Sequence, residues 1–395
     1  MKQILSFVTS TLLSAGFLLS FLLVACTAPS TSSTQLAELP PTPFPDTSAL
    51  AEINAPLVES PALVEIHFLN ELDGWGVTAT QIVRTNDGGV TWYNVTPPDV
   101  TETGYAVDSF MFDNNHVWIQ NPDFDNFPNS GILYRTTDGG IIWTNTTTPF
   151  SRAHITFLDP NNGWALADLG VGAGSNAVAV YQTNDGGITW IQKYSNDPNN
   201  PNASESLPLS GLKNGLAPLT MQTAFVHGVV YSQGTAYLFR TDDGGMNWSA
   251  TTLPLPDGAQ NYELGIDQGQ MKFVSPTDGY ITLRLTGDIY QVAVYVTHDG
   301  GDTWSLTPTL LPDAGSADFL SAAEAVIYNG EQFYVTRDAA RTWNIIPPDI
   351  IFGDTFAMMD FVNTMTGWII TLDPTNHRSL YRTTDGGLTW SPIIP

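Results

Sequence analysis

The sequence predicts an all-β fold, a seven-bladed β-propeller with four antiparallel strands in each blade. Seven octets of the form Thr-x-Asp-x-x-x-x-Trp recur along the 395 residues, with Asp-to-Asp steps of 51, 47, 58, 56, 39 and 47. Between the octets, β-branched and aromatic residues alternate with polar ones at a period of two, and the body of the chain shows no sustained 3.6-residue pattern. Four short strands about every 48 residues is the size of one propeller blade.

The first element in the chain is a targeting segment. One charge, Lys2, precedes an apolar run from Ile4 to Ala25, which is the layout of a secretory signal. The run ends in Leu23-Val24-Ala25-Cys26, which resembles a bacterial lipobox, and Cys26 is the only cysteine of the chain. We therefore predict a signal peptide at residues 1–25 and lipidation of Cys26. The alternative is an uncleaved N-terminal anchor helix, since the run is long enough to span a bilayer.

A tether follows at residues 26–60. It is rich in Ser, Thr, Pro and Ala and has no hydrophobic periodicity, so it is predicted to be part flexible coil and part extended polyproline. The propeller is predicted to occupy residues 61–395. On this reading the protein is exported and held by its lipid on the outer face of the cytoplasmic membrane or on an outer membrane.

The octets predict tight turns between two strands. Asp-Gly between apolar runs favours a hairpin, because glycine adopts a positive φ without strain, and the Asp carboxylate accepts hydrogen bonds from backbone N–H groups ahead of it. The Trp is expected to fold its ring back under the turn. These roles are structural and fall on Asp87, Trp92, Asp138, Trp143, Asp185, Trp190, Asp243, Trp248, Asp299, Trp304, Asp338, Trp343, Asp385 and Trp390.

The sixth octet departs from the others because Ala339-Ala340 replaces Gly-Gly. If both positions need a positive φ, this copy is strained by roughly 1 kcal/mol, or it forms a different turn. The sixth blade is therefore predicted to be the loosest.

The octets resemble Asp-boxes, which are also called bacterial neuraminidase repeats. The longer unit, in which a Gly-Trp strand precedes a Tyr/Arg-Thr-x-Asp-Gly-Gly-x-Thr-Trp segment, is similar to the photosystem II assembly and stability factor family of seven-bladed propellers. The resemblance covers residues 61–395. It implies the propeller fold and suggests an assembly role, whereas the Asp-box itself also occurs in sialidases, xyloglucanases and adhesive surface proteins.

The blade topology predicts which face carries recognition. The boxes join strands three and four and share one face with the one–two turns, so the long irregular segments fall on the opposite face, where binding loops on rigid scaffolds occur. The candidate partner face comprises acidic and aromatic residues of these loops: Tyr105, Asp123, Phe124, Asp125, Phe127, Asp168, Asp197, Glu205, Asp257 and Tyr262. A basic protein or peptide is the expected partner; the alternative is that these acids only keep the protein soluble.

The charge balance argues against nucleic acid as a partner. The chain has 13 Lys and Arg against 39 Asp and Glu, a formal net charge of −26, and phosphate contacts need clustered basic residues. The protein is expected to be monomeric and to meet the membrane only through its lipid.

Three groups of residues are candidates for catalytic or metal sites. Sialidase chemistry needs three arginines, and Arg152, Arg284 and Arg378 are the three that neither precede a box nor lie inside one. Glycosidases need two carboxylates, a requirement that 39 acids always satisfy. Asp123-Phe-Asp125-Asn126 and Asp159-Pro-Asn161-Asn162 are oxygen-rich loops with a weak possibility of Ca²⁺ binding, although we prefer to interpret them as turn formers.

The sequence thus favours a non-catalytic, lipid-anchored propeller that acts as a protein-binding scaffold or assembly factor. It predicts no catalytic residue, no cofactor and no metal. The alternative is a carbohydrate-active enzyme, such as a sialidase or another glycosidase, or a glycan-binding surface protein.

Overall fold

The computed structural model describes residues 55–200, 203–312 and 315–394. The predicted signal peptide, Cys26 and residues 27–54 of the tether lie outside the described residues. Within them the secondary structure is β, apart from three single 3₁₀ turns at Gly104–Ala106, Ala259–Asn261 and Gly353–Thr355. The prediction of an all-β propeller is confirmed. The described part of the chain contains no helix that is long and apolar enough to cross a membrane.

The strands form six sheets. Sheet 1 comprises β1 (Leu57–Val58), β2 (Glu65–Phe68), β3 (Gly74–Val77), β4 (Ile82–Thr85) and β5 (Trp92–Asn94). Sheet 2 comprises β6 (Asp108–Met111), β7 (Val117–Pro122), β8 (Gly131–Thr136) and β9 (Trp143–Thr148). Sheet 3 comprises β10 (Ala153–Phe157), β11 (Gly163–Gly172), β12 (Ser175–Thr183) and β13 (Ile191–Ser195).

Sheet 4 has nine strands. They are β14 (Leu212–Pro218), β15 (Ala224–Val229), β16 (Tyr237–Thr241), β17 (Ser249–Ala250), β18 (Glu263–Gly265), β19 (Met271–Phe273), β20 (Gly279–Thr286), β21 (Tyr290–Thr297) and β22 (Ser305–Pro312). Sheet 5 comprises β23 (Ser316–Phe319), β24 (Ala325–Tyr328), β25 (Phe333–Thr336) and β26 (Asn344–Ile346). Sheet 6 comprises β27 (Phe356–Phe361), β28 (Gly367–Leu372), β29 (Arg378–Thr383) and β30 (Ser391–Pro392).

The structure shows five separate blades where the sequence predicts seven blades. Five sheets are separate blades, and sheet 4 contains the strands of the fourth and fifth repeats together. The cause is β18, which lies in the connection between the two repeats. It pairs with β20 and also forms one bridge to β15, between Gly265 and Val229, and this bridge merges the two sets of strands.

The boundary of the propeller also differs from the prediction. β1 lies inside the segment predicted as tether, and it pairs antiparallel with β5, with Leu57 opposite Tyr93 and Val58 opposite Trp92. β5, the fourth strand of the first blade, is only three residues long. Because β1 covers the exposed edge of that short strand, the chain joins the fold before residue 61.

Neighbouring sheets are held together by repeated aromatic contacts. Trp118 of β7 stacks on Phe157 of β10 with ring centroids 3.8 Å apart, and Tyr280 of β20 stacks on Phe319 of β23 at 4.8 Å. The glycine that begins β11 is needed here, because a Cβ at Gly163 would lie 2.6 Å from the ring of Phe157. The second strand of one sheet therefore supplies the stacking ring, and the glycine that begins the second strand of the next sheet makes the space for its partner.

Arginines that precede the boxes reinforce these contacts. The Arg84 guanidinium lies 5.1 Å from the Trp75 ring and donates to the Gly139 carbonyl in the second box at 3.3 Å. Arg382 repeats the arrangement at the other end of the chain, 5.1 Å from the Trp368 ring, and donates to the Glu71 carbonyl of sheet 1 at 3.2 Å. Sheet 6 thus contacts sheet 1 as sheet 1 contacts sheet 2.

Candidate functional site

The two faces of the propeller differ in structure. In each box the first residue after Asp donates its N–H to a carbonyl in the turn between the first and second strands of its repeat, as Gly88 does to Leu72 at 2.8 Å and Gly386 to Met365 at 2.8 Å. Boxes and one–two turns therefore lie on one side, which we call the box face. The opposite side, which we call the loop face, carries the two–three loops and the connections between repeats.

Each box is organised by its Asp and Thr. In the third box, Asp185 Oδ1 accepts from Thr183 Oγ1 at 2.8 Å and from the Thr189 N–H at 2.9 Å, and Oδ2 accepts from Thr189 Oγ1 at 2.6 Å. Burial alone would raise the pKa of Asp185, but these hydrogen bonds outweigh it and hold that pKa below its usual value. The carboxylate is fully engaged within its own turn.

The box tryptophans do not share one arrangement. Three of them fold back as predicted, and each donates its indole N–H to the carbonyl of the second glycine of its own box at 2.9–3.0 Å. These are Trp92, Trp248 and Trp390. Trp143 instead donates to the Val95 carbonyl of sheet 1 at 2.8 Å. The indole nitrogens of the other three, which are Trp190, Trp304 and Trp343, are buried without a partner among the described residues.

The sixth box keeps the turn of the others. Ala339 and Ala340 both have φ of +59°, and the Ala340 N–H donates to Thr336 Oγ1 at 2.9 Å, as the second glycine does in other boxes. Two alanines are therefore held in the left-handed region that favours glycine.

The predicted partner-face residues lie on the loop face but are not gathered in one place. Tyr105 and Asp168 line one cavity of about 760 Å³. Asp123 and Asp197 accept hydrogen bonds within their own loops, and Tyr262 packs beside Gly287. The other members, which are exposed, are Phe124, Asp125, Phe127, Glu205 and Asp257.

The loop face carries the exposed aromatic residues of the described chain. Tyr105 is 80% exposed, and the other members of this group are Phe124, Phe127, Tyr231 and Tyr290. All five lie in a two–three loop, at its edge or in a connection between repeats. The exposed apolar residues of the box turns, such as Ile188 and Leu388, are aliphatic or Met. Sequence reasoning missed Tyr231 and Tyr290 because it ranked loops by length and acidity.

The inner strand of each repeat lines a channel, and the register places their side chains at two levels. The residue three positions before the end of an inner strand lies at the level nearer the loop face. This level includes Glu65, Asp108 and His154. The residue one position before the end of an inner strand lies at the level nearer the box face. This second level includes His67, Lys272, Asp318 and Asp360.

Glu65, Asp108 and His154 form what we call the upper cluster, and all three line the 760 Å³ cavity. His154 Nδ1 lies 3.1 Å from Asp108 Oδ1, and the Ile155 N–H donates to Asp108 Oδ2 at 2.9 Å. Ser109 Oγ donates to Glu65 Oε1 at 3.0 Å. The three groups therefore link the inner strands of sheets 1, 2 and 3.

The electrostatics of the upper cluster favour proton exchange near neutral pH. Burial raises the pKa of Glu65 to about 7, the Ser109 hydrogen bond opposes this, and the Asp108 charge adds to it. Burial alone would lower the pKa of His154, but the hydrogen bond and charge of Asp108 raise it above its ordinary value. Such a pair can hold one acidic and one basic group at pH 7.

His67, Lys272, Asp318 and Asp360 form the lower cluster, around a second cavity of about 530 Å³. Asp318 Oδ2 accepts from the Phe361 N–H at 2.9 Å, and Asp360 Oδ2 accepts from the Phe68 N–H. Burial raises the pKa of Asp360 to about 7, and burial together with the Asp360 charge raises that of Asp318. These carboxylates join the inner strands of successive sheets.

The two other candidate constellations are not assembled. Of the three arginines considered for a carboxylate-binding triad, Arg152 lines the larger cavity, whereas Arg284 pairs with Asp267 at 2.8 Å and Arg378 contacts the Tyr105 hydroxyl at 3.3 Å. In the oxygen-rich loop after β10, Asp159 accepts hydrogen bonds from Asn161 and Asn162. No group of three His, Cys, Asp or Glu suited to a metal ion occurs within the described residues.

The fold and the boxes define a β-propeller built from Asp-box repeats. The model of the family described as photosynthesis system II assembly factor YCF48 matches residues 46–198, and the BNR/Asp-box repeat model matches 295–306 and 381–392. A solved structure of YCF48 bound to D1 peptide is 18% identical, covers 83% of this chain and 96% of that chain, and has a TM-score of 0.51. This likeness shows the shared fold.

Xyloglucanases are also similar to this chain. The xyloglucanase of Hypocrea jecorina (strain QM6a) is 29% identical over an alignment of 188 residues. The match covers 40% of this chain and 22% of the relative, so this chain matches about a fifth of that protein. The GH74 xyloglucanase from Xanthomonas campestris has a TM-score of 0.54 at 12% identity, over 85% of this chain and 55% of that chain. The structural likeness shows the shared fold, and the sequence match to an enzyme overturns the expectation that the protein is not an enzyme.

Sequence reasoning missed both clusters of the channel. The signal was present, because Glu65, His67 and Asp360 alternate with apolar residues directly before a Phe that is followed by a Gly-Trp strand. Period-two alternation is ordinarily interpreted as one buried and one solvated face. Here the polar face of the inner strands is turned to a narrow channel instead, and only the ring geometry shows this.

Proposed function

We propose that this propeller binds a protein partner on its loop face, as an extracytoplasmic scaffold or assembly factor. The observation that carries the proposal is the confinement of the exposed aromatic residues to that face. Aromatic side chains are enriched at the centres of protein interfaces because they bury a large area at a small entropic cost. The match to the YCF48 family model and the similarity to YCF48 bound to D1 peptide support a polypeptide as the ligand.

Charge favours a basic partner. The formal net charge is −26, and the loop face exposes Asp125, Glu205 and Asp257 between its aromatic residues. Such a surface accelerates the association of cationic segments and repels acidic ones, and the effect weakens as salt is added.

A site-specific photo-crosslinker tests this proposal. We would place it at Tyr105 and Tyr231 on the loop face, and at Leu388 on the box face as the matched control, in cells that express the full chain. One partner should be captured from both loop-face positions and not from Leu388. The partner is then purified, and Tyr105→Ala and Tyr231→Ala should each weaken its binding by roughly tenfold, the size of an aromatic interface contact.

Asp125→Lys should weaken the same complex less, and mainly at low salt. Capture of the same protein from Leu388 with equal yield, or unchanged affinity of both tyrosine variants, would rule out the loop face as the binding surface.

A carbohydrate-active enzyme is the second candidate, favoured by the xyloglucanase relative. Glycan arrays and a general assay for reducing sugars separate it from the first. The polysaccharide site would then lie at the loop-face end of the channel.

We also propose that the chain is anchored through a lipid on Cys26 and that sheet 4 comprises two blades, which would make seven. The blade count is supported by the composition of sheet 4, in which β14–β17 and β19–β22 are two four-stranded antiparallel sets connected through β18. Cys26→Ser should release the protein from membranes.

A further inference from the structure

The upper cluster has the composition of an acid–base centre. Glu65, Asp108 and His154 come from three successive inner strands at equal register, so they lie at one level near the loop-face end of the channel, where all three line the same cavity. The His154 and Asp108 side chains are 39% and 24% exposed, so the pair is open to a ligand in the cavity. The proposed binding of a protein partner uses none of the three.

We propose that the upper cluster is a hydrolytic centre for a neutral polysaccharide, with Glu65 as the acid, His154 as the base and Asp108 as the residue that positions His154. This inference rests on the second candidate function given above, and its three residues are not ones that the proposed protein binding uses.

The base is held by two contacts. Asp108 Oδ1 lies 3.1 Å from His154 Nδ1, while the Ile155 N–H fixes Oδ2 at 2.9 Å, so the carboxylate cannot rotate away. A carboxylate at Nδ1 keeps the proton on that nitrogen and leaves Nε2 as the atom that accepts a proton. The Gln268 amide nitrogen lies 3.3 Å from the same Nδ1. Arg152 and Asp168 are the other charged groups that influence the imidazole.

The acid is Glu65, the first residue of β2, which accepts one hydrogen bond, from Ser109 of β6. Because burial and the neighbouring Asp108 raise its pKa to about 7, a large fraction of the carboxyl is protonated at neutral pH. A carboxylic acid that retains its proton beside a basic imidazole is the division of roles that hydrolysis of a glycosidic bond requires.

The cavity suits a neutral sugar chain. Its volume of about 760 Å³ is in the range of pockets that hold a ligand of several rings. Exposed Tyr105 offers a flat ring for stacking, and Gln120 and Asn176 contribute planar amides to the lining. The cations Arg152 and Lys213 balance the carboxylates of Asp108 and Asp168 in the lining, so the cavity has no excess charge that would select a strongly charged ligand.

The reaction consumes one water molecule. His154 Nε2 takes a proton from water, the water oxygen bonds to the anomeric carbon, and the bond from that carbon to the glycosidic oxygen breaks. Glu65 gives its proton to the departing oxygen. The products are two shorter sugar chains, and proton transfer from the imidazolium to the carboxylate restores the starting state.

The test is an assay of reducing-end release by the purified full chain from xyloglucan, cellulose, β-glucan, arabinan and mannan. Wild type should release sugar from at least one of them. Glu65→Gln and His154→Gln should each lower the rate at least 100-fold, the usual size of a general acid or base contribution. Asp108→Asn should lower the rate and move the acidic limb of the pH profile to lower pH, a change that a purely structural role would not cause.

Two variants provide matched controls. His298→Gln removes the imidazole of another Asp–His pair, with Asp278 at 2.7 Å, but on the box face, and Glu324→Gln removes a carboxylate from a one–two turn. Both should retain wild-type rates. Absence of release from every polysaccharide, or release that Glu65→Gln and His154→Gln leave unchanged, would overturn the inference. Partner capture from Tyr231, which does not line the 760 Å³ cavity, tests the protein-binding proposal separately.

Discussion

The aromatic rings of Phe68 and Trp368 stack with centroids 3.6 Å apart and planes within 3° of parallel. Phe68 lies on the inner strand of sheet 1 and Trp368 on the second strand of sheet 6, so this pair joins the two ends of the described propeller. The Trp368 indole N–H also donates to the Gly88 carbonyl at 2.9 Å. No strand of sheet 6 pairs with sheet 1 among the described residues, and the closure therefore depends on side chains.

Replacing Trp368 should open this junction. Trp368→Leu removes the stacked ring and leaves the Gly88 carbonyl without its donor, and we expect a loss of about 3 kcal/mol in the free energy of unfolding, measured by urea titration. Ile351→Ala, at an apolar residue that is 67% exposed, is the control and should change stability by less than about 0.5 kcal/mol. Equal effects of the two substitutions would show that the junction contributes little.

The strained sixth box predicts a stabilising substitution. Ala339→Gly relieves the strain of a φ of +59° at a partly exposed position. Glycine also makes the unfolded chain more flexible, which offsets part of this gain. The net result should be a rise of about 0.5 kcal/mol in the free energy of unfolding. Ala340→Gly should bring no gain, because the Ala340 methyl is buried in the core between sheets 4 and 5.

The reverse substitution in an ordinary box is the control for this argument. Gly386→Ala adds a Cβ that would lie 2.9 Å from the Thr364 carbonyl, at a φ of +78°, and should cost roughly 1–2 kcal/mol. If Ala339→Gly lowers the melting temperature, the left-handed conformation of the sixth box is not the source of strain.

Most of the fold could be predicted from the sequence, because the turns are made by contacts between residues close together in the chain. The Asp and Thr of a box bond to atoms within four residues, so their pattern is visible in eight letters, as it is for Thr183 and Asp185. The merging of two repeats in sheet 4 was not predictable, since it depends on one bridge between Val229 and Gly265 across a connection without a motif. The channel clusters were missed for the same reason: Glu65 and His154 line one cavity only after the ring has formed.

The box carboxylates should matter for stability and leave partner binding intact. Asp185→Ala leaves the Thr189 N–H without its acceptor and should cost about 1–3 kcal/mol, measured by thermal unfolding. Affinity for the partner captured on the loop face should not change, since the box lies on the other face. A variant that melts like wild type and no longer binds would assign Asp185 to recognition instead.

The buried carboxylates of the lower cluster predict an unusual pH dependence. Burial raises the pKa of Asp360 from 3.8 to about 7, so between these values the folded protein binds a proton that the unfolded chain releases. This group therefore stabilises the fold at low pH relative to high pH, and its contribution falls as the pH rises from about 4 to 7. Asp360→Asn removes that dependence, and its side-chain oxygen can still accept from the Phe68 N–H.

At pH 8 the Asp360→Asn protein should be more stable than wild type by on the order of 2 kcal/mol, and near pH 4 the two should converge. Urea unfolding at pH 4 to 8 measures the difference. Burial lowers the pKa of His67 to about 4, which gives an opposite slope below pH 6.5, but this slope is common to both proteins and cancels. Asp354→Asn, which removes the same charge from an exposed turn, should show no such trend. A stability difference that stays constant across this range would mean that Asp360 is ionised in the folded protein throughout.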